Sequence, residues 1–145
     1  MADTAALKER ALFRVWTQEI CRFRDSDMLG HVNNAVFATF CESGRVAFLW
    51  DEGKALIAPG CTYVIARLVL DFRAELQFRD VVDIGTGVLQ VGRSSFTLGQ
   101  GLFRGEACVA TAHSVLVLMD EATRRATPLP DAVRHRLEEF SLPQG

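Results

Sequence analysis

Hydrophobic and polar positions change their spacing several times along this chain, and each change marks an element. Over Leu12–Arg24 apolar and polar residues alternate, and one side of the alternation carries Phe13, Val15, Cys21 and Phe23. Glu19 alone interrupts that apolar side. A period of two predicts a half-buried β-strand. The following segment, 25–32, holds Asp, Ser, Gly and His, which predicts a loop.

After this loop the spacing becomes helical. Apolar and small residues recur on one face as Val36, Phe37, Phe40, Cys41, Gly44, Ala47 and Phe48. Asn33 or Asn34 can cap this helix, which runs to Asp51 with a stop at Gly53 and spans about 28 Å. Gly44 costs a helix interior about 1 kcal/mol relative to Ala. We therefore expect a close approach between helix and sheet at Gly44.

Four further runs have the composition of strands. They are Thr62–Phe72, Val81–Val91, Ser95–Phe103 and Ala107–Met119. Short turns at Gly92–Ser94 and Arg104–Glu106 predict an antiparallel meander joined by hairpins. A short helix is expected at 131–140.

This order of elements predicts an α+β fold, with a five-stranded, mostly antiparallel sheet wrapped around one long helix. We expect a single domain over residues 1–145, with a core at about 13–119. Such a sheet has two open edges, and proteins usually cover or pair open edges. Pairing with a second copy is the simplest solution, so the sequence predicts a homo-oligomer.

Composition and charge narrow the classes of function. The chain has 145 residues and a formal net charge of −2, which gives no reason to expect binding to nucleic acid or to an anionic membrane. Met1–Arg10 does not resemble a secretory signal, and no apolar run is long enough to span a bilayer. The four cysteines form no Cys-x-x-Cys pair and have no histidine at metal-ligand spacing. We expect a cytoplasmic protein with reduced thiols and no metal.

The segment Arg24–Asn34 is the densest polar cluster, and it ends where the long helix begins. A helix N-terminus offers unpaired N–H groups and positive charge, which can stabilise a developing oxyanion. A carboxylate at the same place can activate water or attack a carbonyl carbon. The alternative is that Asp25 and Asp27 only complement the helix dipole while His31 is a solvated loop residue.

The motif R-x-x-D-x-x-G-H-V-N-N over Arg24–Asn34, followed by an aromatic helix with Glu42 and Arg45, resembles a known family. It is similar to the acyl-CoA thioesterases related to 4-hydroxybenzoyl-CoA thioesterase. The resemblance covers roughly residues 13–138. The sequence departs from the family at Arg73–Asp80, where many members carry Arg-Pro and Gly-Asp. The resemblance therefore does not determine the geometry of the turn in this segment.

The resemblance implies a hot-dog fold, a dimer or tetramer with active sites between subunits, and no cofactor apart from the coenzyme A of the substrate. By this resemblance, Asp27 is the catalytic carboxylate. The backbone N–H near Asn34 would polarise the thioester carbonyl. His31 and Asn33 would shape the acyl pocket or the loop. Asp25 has no catalytic counterpart, and we expect it to form local hydrogen bonds.

Basic loop residues are candidates for binding the phosphates of coenzyme A. Arg93 is one by its loop position, and Arg124 and Arg125 match a region that contacts the nucleotide in some relatives. Glu42 is an alternative catalytic group, because some hot-dog thioesterases use a helix glutamate. A surface ion pair between Glu42 and Arg45 is the simpler interpretation.

Two alternatives to hydrolysis are a hydratase or dehydratase activity and non-catalytic binding of acyl-CoA. Hot-dog hydratases and dehydratases pair an Asp and a His with four residues between them, whereas Asp27 and His31 have three. A non-catalytic acyl-CoA binding module would keep the pocket without turnover. The acyl group, and the choice between coenzyme A and acyl-carrier protein as its carrier, stay open at this level.

Overall fold

The computed structural model of the chain describes residues 4–51 and 56–143. Within this part the chain forms two α-helices, α1 (Asn34–Trp50) and α2 (Asp131–Glu139). The strands are β1 (Val15–Ile20), β2 (Cys61–Phe72), β3 (Val81–Val91), β4 (Ser95–Arg104) and β5 (Ala107–Asp120). Short 3-10 helices lie at Thr4–Lys8, Arg10–Leu12 and Phe23–Asp25, and no helix of this part is long and apolar enough to cross a membrane. The predicted helix stop at Gly53 lies outside the described residues.

The strands form one antiparallel sheet in the order β1-β3-β4-β5-β2. This confirms the predicted α+β architecture, and it confirms the hairpins at Gly92–Ser94 and Arg104–Glu106 because β3, β4 and β5 pair in sequence order. The predicted meander is wrong for β2, which pairs with β5 at the edge of the sheet. Residues 73–80 join β2 to β3, and this connection is too long to force the two strands into a hairpin.

The first strand is shorter than its alternation predicts, since it ends at Ile20 instead of Arg24. Phe23, predicted to face inward, is 79% exposed because the chain turns into a 3-10 helix at Phe23–Asp25. The backbone N–H of Arg22 donates to Asp25 Oδ2 at 2.8 Å. Such a local side-chain hydrogen bond competes with strand pairing and ends the strand early.

The helix α1 packs on one face of the sheet, which we call the helix face, and Gly44 lies at the closest approach. A Cβ at Gly44 would lie 2.5 Å from Gln100 Nε2 on β4 and 2.7 Å from Ile84 Cγ2 on β3. Gln100 Nε2 itself donates to the backbone oxygen of Cys41 at 3.0 Å and to Thr86 Oγ1 at 3.1 Å. The predicted reason for a mid-helix glycine is therefore confirmed.

Arg45, the residue after Gly44, is buried, so the prediction that it lies on the helix surface beside Glu42 is wrong. Its Nη1 lies 3.5 Å from Ser114 Oγ on β5. Burial, which disfavours the charged form, lowers the pKa of Arg45 from its usual value. The helix turns this position toward the edge of the sheet, where an amphipathic pattern would place an apolar residue.

The opposite face of the sheet, the outer face, is covered by the chain's own N-terminal segment. Leu7 is fully buried there, and its backbone oxygen would lie 2.6 Å from a Cβ at Gly101. Phe13 packs against Gly85 in the same way. The sequence pattern did not predict this layer. It leaves the helix face as the side on which a site can open.

The first testable prediction concerns the contact at Gly44. Gly44→Ala gains helix propensity worth about 1 kcal/mol, but over-packing a tight interior costs about 1–3 kcal/mol. We expect a net loss of up to about 2 kcal/mol in the free energy of unfolding in urea. Ser43→Ala is the control, because it adds propensity in the same turn and brings no Cβ against the sheet. A Gly44→Ala protein as stable as Ser43→Ala would show that the helix can move away from Gln100 at no cost.

Candidate functional site

Asp25 opens the polar loop between β1 and α1, and it is a buried carboxylate. It is 3% exposed and accepts hydrogen bonds from Arg22 through the backbone N–H at 2.8 Å, Nε at 3.2 Å and Nη2 at 3.0 Å. Burial disfavours its charged form, but the hydrogen bonds and charge of Arg22 outweigh burial and hold the pKa of Asp25 below its usual value. The expected local hydrogen bonding of Asp25 is confirmed, and this carboxylate is committed to the fold.

Asp27 lies two residues further on and is half-buried. Its Oδ1 accepts from the backbone N–H of Leu29 at 2.8 Å, and its Oδ2 accepts from Asn33 Nδ2 at 3.0 Å. The backbone closes the turn around it, because the Asp27 N–H donates to the oxygen of His31 at 3.1 Å. Gly30 has a φ of +87°, a conformation that glycine adopts without strain. The loop therefore presents one carboxylate held by two neutral donors.

Asn33 joins this carboxylate to the helix. Its Oδ1 accepts from the backbone N–H of Ala35 at 2.9 Å, which makes Asn33 the N-cap of α1. Its backbone N–H donates to the oxygen of Asp25 at 2.9 Å. One short side chain thus contacts both Asp27 and the first turn of the helix.

The first helical residue, Asn34, faces a pocket of about 330 Å³. The lining comes from the loop and helix, with His31, Val32, Asn34 and Phe37, and from Phe72–Glu75 after β2. No residue within 4–51 or 56–143 accepts a hydrogen bond from the Asn34 N–H. An oxygen atom placed in this pocket can accept that bond at the positive end of the helix.

The pocket has aromatic walls and a polar rim. The rings of Phe37 and Phe72 meet edge to face, with centroids 5.2 Å apart at 71°. At the rim, His31 Nε2 lies 3.7 Å from Glu75 Oε1. The backbone N–H of Val32 donates to the oxygen of Leu76 at 2.7 Å, which ties the loop to the segment after β2. Asp27 is not among the lining residues, and it is joined to the start of α1 through Asn33 Nδ2.

The three arginines predicted to bind phosphate lie at the other end of the sheet. Arg93 is in the turn after β3, and Arg124 and Arg125 follow β5. Backbone hydrogen bonds of 2.9 Å hold these segments in place, with the oxygen of Arg93 accepting from Leu129 and the oxygen of Arg125 accepting from Asp120. Strand β2, whose twelve residues span about 37 Å, runs from this end of the sheet to the end that carries the loop.

The other sequence predictions at the site concern thiols and metals. Cys21 and Cys41 are buried free thiols, and burial raises the pKa of each to about 11. In the described ranges, no group of three or more His, Cys, Asp or Glu side chains is placed to hold a metal ion. The sequence analysis missed the pocket walls at Phe37 and Phe72. A signal existed for Phe37, which lies one helical turn after Asn34 on the apolar face.

A family sequence pattern and a known relative match this chain over most of its length. The sequence pattern of the thioesterase-like superfamily matches residues 21–137. Over 132 residues the chain is 24% identical to a 1,4-dihydroxy-2-naphthoyl-CoA hydrolase of Synechococcus elongatus, covering 83% of this chain and 93% of that protein.

Two solved structures extend the comparison. A thioesterase from Thermus thermophilus, complexed with coenzyme A and Zn, is 31% identical with a TM-score of 0.76, covering 89% of this chain and 95% of that one. The YbaW probable thioesterase from Escherichia coli is 27% identical with a TM-score of 0.77, covering 88% and 98%. The antiparallel sheet with its central helix is the hot-dog thioesterase fold, and the superfamily pattern spans most of the chain. The chain therefore belongs to the thioesterase-like superfamily.

Proposed function

We propose that this protein hydrolyses an acyl thioester of coenzyme A to the free acid and coenzyme A, with Asp27 and the Asn34 N–H as its catalytic groups. One observation carries the proposal. The amide of Asn33 links the Asp27 carboxylate to a helix N-terminus whose first residue, Asn34, lines an apolar pocket and whose N–H has no acceptor in the described part. A hydrolase of this kind needs a basic oxygen, an oxyanion donor and an acyl site, and the loop and the start of α1 bring candidates for these together.

In the proposed reaction the thioester carbonyl points its oxygen at the Asn34 N–H, where the N–H and the helix dipole stabilise the charge that develops. Asp27 either takes a proton from the attacking water or attacks the carbonyl carbon itself. In the second route, water hydrolyses the resulting anhydride. In both routes the C–S bond breaks and the departing sulfur takes up a proton. The mechanism uses protein groups only, with coenzyme A as part of the substrate.

The same pocket is compatible with two other activities. A hydratase would use His31, which lines the rim, but the spacing between Asp27 and His31 differs from that of the hydratases. A binding module would hold acyl-CoA without turning it over. Turnover that depends on Asp27 and releases free thiol separates hydrolysis from both.

The walls of the pocket favour an aromatic acyl group. Phe72 is 51% exposed, so much of its ring is open to a ligand beside Phe37. An aromatic ligand gains about 0.5–1.5 kcal/mol per edge-to-face pair beyond its buried area, whereas an alkyl chain gains area alone. A relative named as a naphthoyl-CoA hydrolase points the same way.

Two copies of the chain complete the site in our proposal. Edge strand β2 exposes apolar Val64 and Ile65, and Ile65 shares a groove with the exposed Val46 and Trp50 of α1. An exposed apolar edge strand is a template for pairing with another chain. An antiparallel, two-fold pairing of β2 with its copy places the Phe72 end of one chain against the Cys61 end of the other.

This pairing also explains the distant arginines. The Cys61 end of β2 lies beside Asp120, and Arg124 and Arg125 follow it. They are exposed, and in the paired arrangement they approach the catalytic loop of the other subunit. There they would bind the phosphates of the carrier, which favours coenzyme A over a carrier without a nucleotide.

Asp27→Asn tests the chemistry. The substitution keeps the size and the bond from the Leu29 N–H, but it sets an NH2 group against Asn33 Nδ2 and removes the basic oxygen, so kcat should fall by roughly 10²–10⁴, the usual worth of a positioned base. KM should change little, and the free energy of unfolding should fall by about 1–3 kcal/mol for the mispaired amide. The measurement is thiol release from a panel of benzoyl-, naphthoyl- and straight-chain acyl-CoA substrates. Normal turnover would transfer the catalytic role to Glu42.

Asp25→Asn is the contrasting variant, because Asp25 is held by Arg22 and serves the fold. It should lower the free energy of unfolding by about 1–3 kcal/mol, the cost of a mispaired buried polar group, with near-normal turnover per folded molecule. The pKa of Asp25 is lowered in the folded state, so its stabilisation is present above the unfolded value of about 3.9 and is lost as pH falls through the folded value. The variant should therefore lose less stability on acidification than the wild type. Equal losses of turnover from both variants would indicate loop collapse.

A mixed dimer tests the shared site. Asp27→Asn homodimers and Arg124→Ala/Arg125→Ala homodimers should both be impaired, the second mainly in KM. If the arginines act across the interface, a heterodimer of the two variants has one site with a native Asp27 and native arginines, and about half of wild-type turnover returns at low acyl-CoA. Light scattering checks the mass of each species. A heterodimer that stays impaired at low substrate would place the arginines outside the partner's site.

Phe72→Leu tests the aromatic wall. Leu keeps an apolar surface but removes the ring quadrupole, so kcat/KM for benzoyl-CoA relative to hexanoyl-CoA should fall by about threefold to tenfold. Phe78→Leu is matched to it, because Phe78 is 46% exposed and meets Phe23 edge to face at 5.6 Å, outside the pocket. An unchanged ratio in Phe72→Leu, or the same fall in Phe78→Leu, would contradict an aromatic acyl site.

A further inference from the structure

The side chain of Asn33 does more than a helix cap requires. A cap needs one acceptor, and Asn33 Oδ1 supplies it to the Ala35 N–H at 2.9 Å. Ser, Thr or Asp would serve that purpose equally well. The Nδ2 group of Asn33 is not part of the cap, yet it donates to Asp27 Oδ2 at 3.0 Å. Asparagine is the short capping residue that carries an acceptor and a donor in one rigid plane.

We infer that Asn33 is a positioning residue, whose amide sets the orientation of the Asp27 carboxylate relative to the oxyanion-binding N–H of Asn34. This inference rests on the proposed catalytic role of Asp27. The amide plane is fixed at its oxygen by the first helical turn, so its nitrogen has one direction in which to donate. The Leu29 N–H holds the other carboxylate oxygen at 2.8 Å. Two bonds from opposite sides leave the carboxylate little freedom to rotate.

Besides orienting the Asp27 carboxylate, the Asn33 amide has an electrostatic effect on it. A neutral donor favours the ionised form of a carboxylate without the strong pairing that an arginine imposes. In the loop, the other ionisable groups are Arg24, Asp25, which Arg22 pairs, and His31, which contacts Glu75 at the pocket rim. Besides Glu75, the segment packed on the loop carries Arg73, Arg79 and Asp80. None of these groups is altered by a substitution at Asn33. A changed titration in an Asn33 variant therefore reports on the amide.

Asn33→Asp is the decisive variant, because it keeps the cap and replaces the amide donor by a second carboxylate oxygen. The two acids then repel each other, so the base is protonated at a higher pH. We expect the acid limb of the kcat profile to move up by about one pH unit or more, and kcat at neutral pH to fall by roughly tenfold to a hundredfold, with KM within about twofold. Asn33→Ser, a neutral cap of shorter reach, should show a smaller fall and a smaller shift. Ala35→Asp is the charge control, because it adds an acid to the same helix end without contacting Asp27, and it should move the limb far less.

Two further readouts make the outcome decisive. At neutral pH, the free energy of unfolding in urea should fall in Asn33→Asp by no more than the repulsion accounts for, about 1.4 kcal/mol for each pH unit by which the Asp27 titration moves, because Asp and Asn are equivalent caps. The titration of the Asp27 carboxyl carbon, followed by NMR in the full chain, should move to higher pH in the same variant, whatever reaction the protein catalyses. An unmoved carboxyl titration, or a loss of kcat that only follows a loss of stability, would make Asn33 a cap alone. A moved titration together with normal turnover in Asp27→Asn would keep the contact and overturn the proposed chemistry instead.

Discussion

The close seating of α1 on the sheet at Gly44 is the constraint on which the rest of the site depends. Gln100 binds the backbone oxygen of Cys41 at 3.0 Å, so the helix is held near its middle by a side chain from β4. A helix is rigid over such lengths, and fixing its middle also fixes where its first turn lies. That first turn lies at the end of the sheet where β1 and β2 end. The loop between β1 and α1, which carries Asp25 and Asp27, is the connection that this placement requires.

The helix face is divided into two hydrophobic clusters by a row of buried polar side chains beneath Gly44, formed by Thr86, Gln100 and Ser114. The cluster nearer the loop contains Val32, which belongs to the loop, and Leu76, which follows β2. Their side chains are buried and their backbones are joined by a 2.7 Å hydrogen bond. The loop is therefore anchored in the core at Val32, while Met28 and Leu29 at its tip are exposed. An anchored loop loses less conformational entropy when a ligand binds.

The sequence predicted elements well wherever the signal was local. Apart from β1, every predicted boundary within the described part agrees within one residue, because tight turns and a capping asparagine mark those ends. Strand β1 begins three residues later and ends four residues earlier than predicted. Its end was wrong because the Arg22–Asp25 bond turns the chain where the apolar alternation continues. The pairing of β2 with β5 is a contact between distant segments, and no spacing rule reveals it. The aromatic wall was missed for the same reason, since Phe37 and Phe72 are far apart in sequence and meet only in the fold.

The division of labour between the two loop aspartates follows from their partners. Asp25 is buried and accepts three bonds from one arginine, so its charge is neutralised and its lone pairs are used. A carboxylate in that state is a poor base and a good structural anchor. Asp27 is half-buried and is held by a backbone N–H and an amide, both neutral, so no cation is paired with it and it has lone pairs left to accept further bonds. The motif places the two acids only two residues apart, and Arg22 pairs with only the first of them.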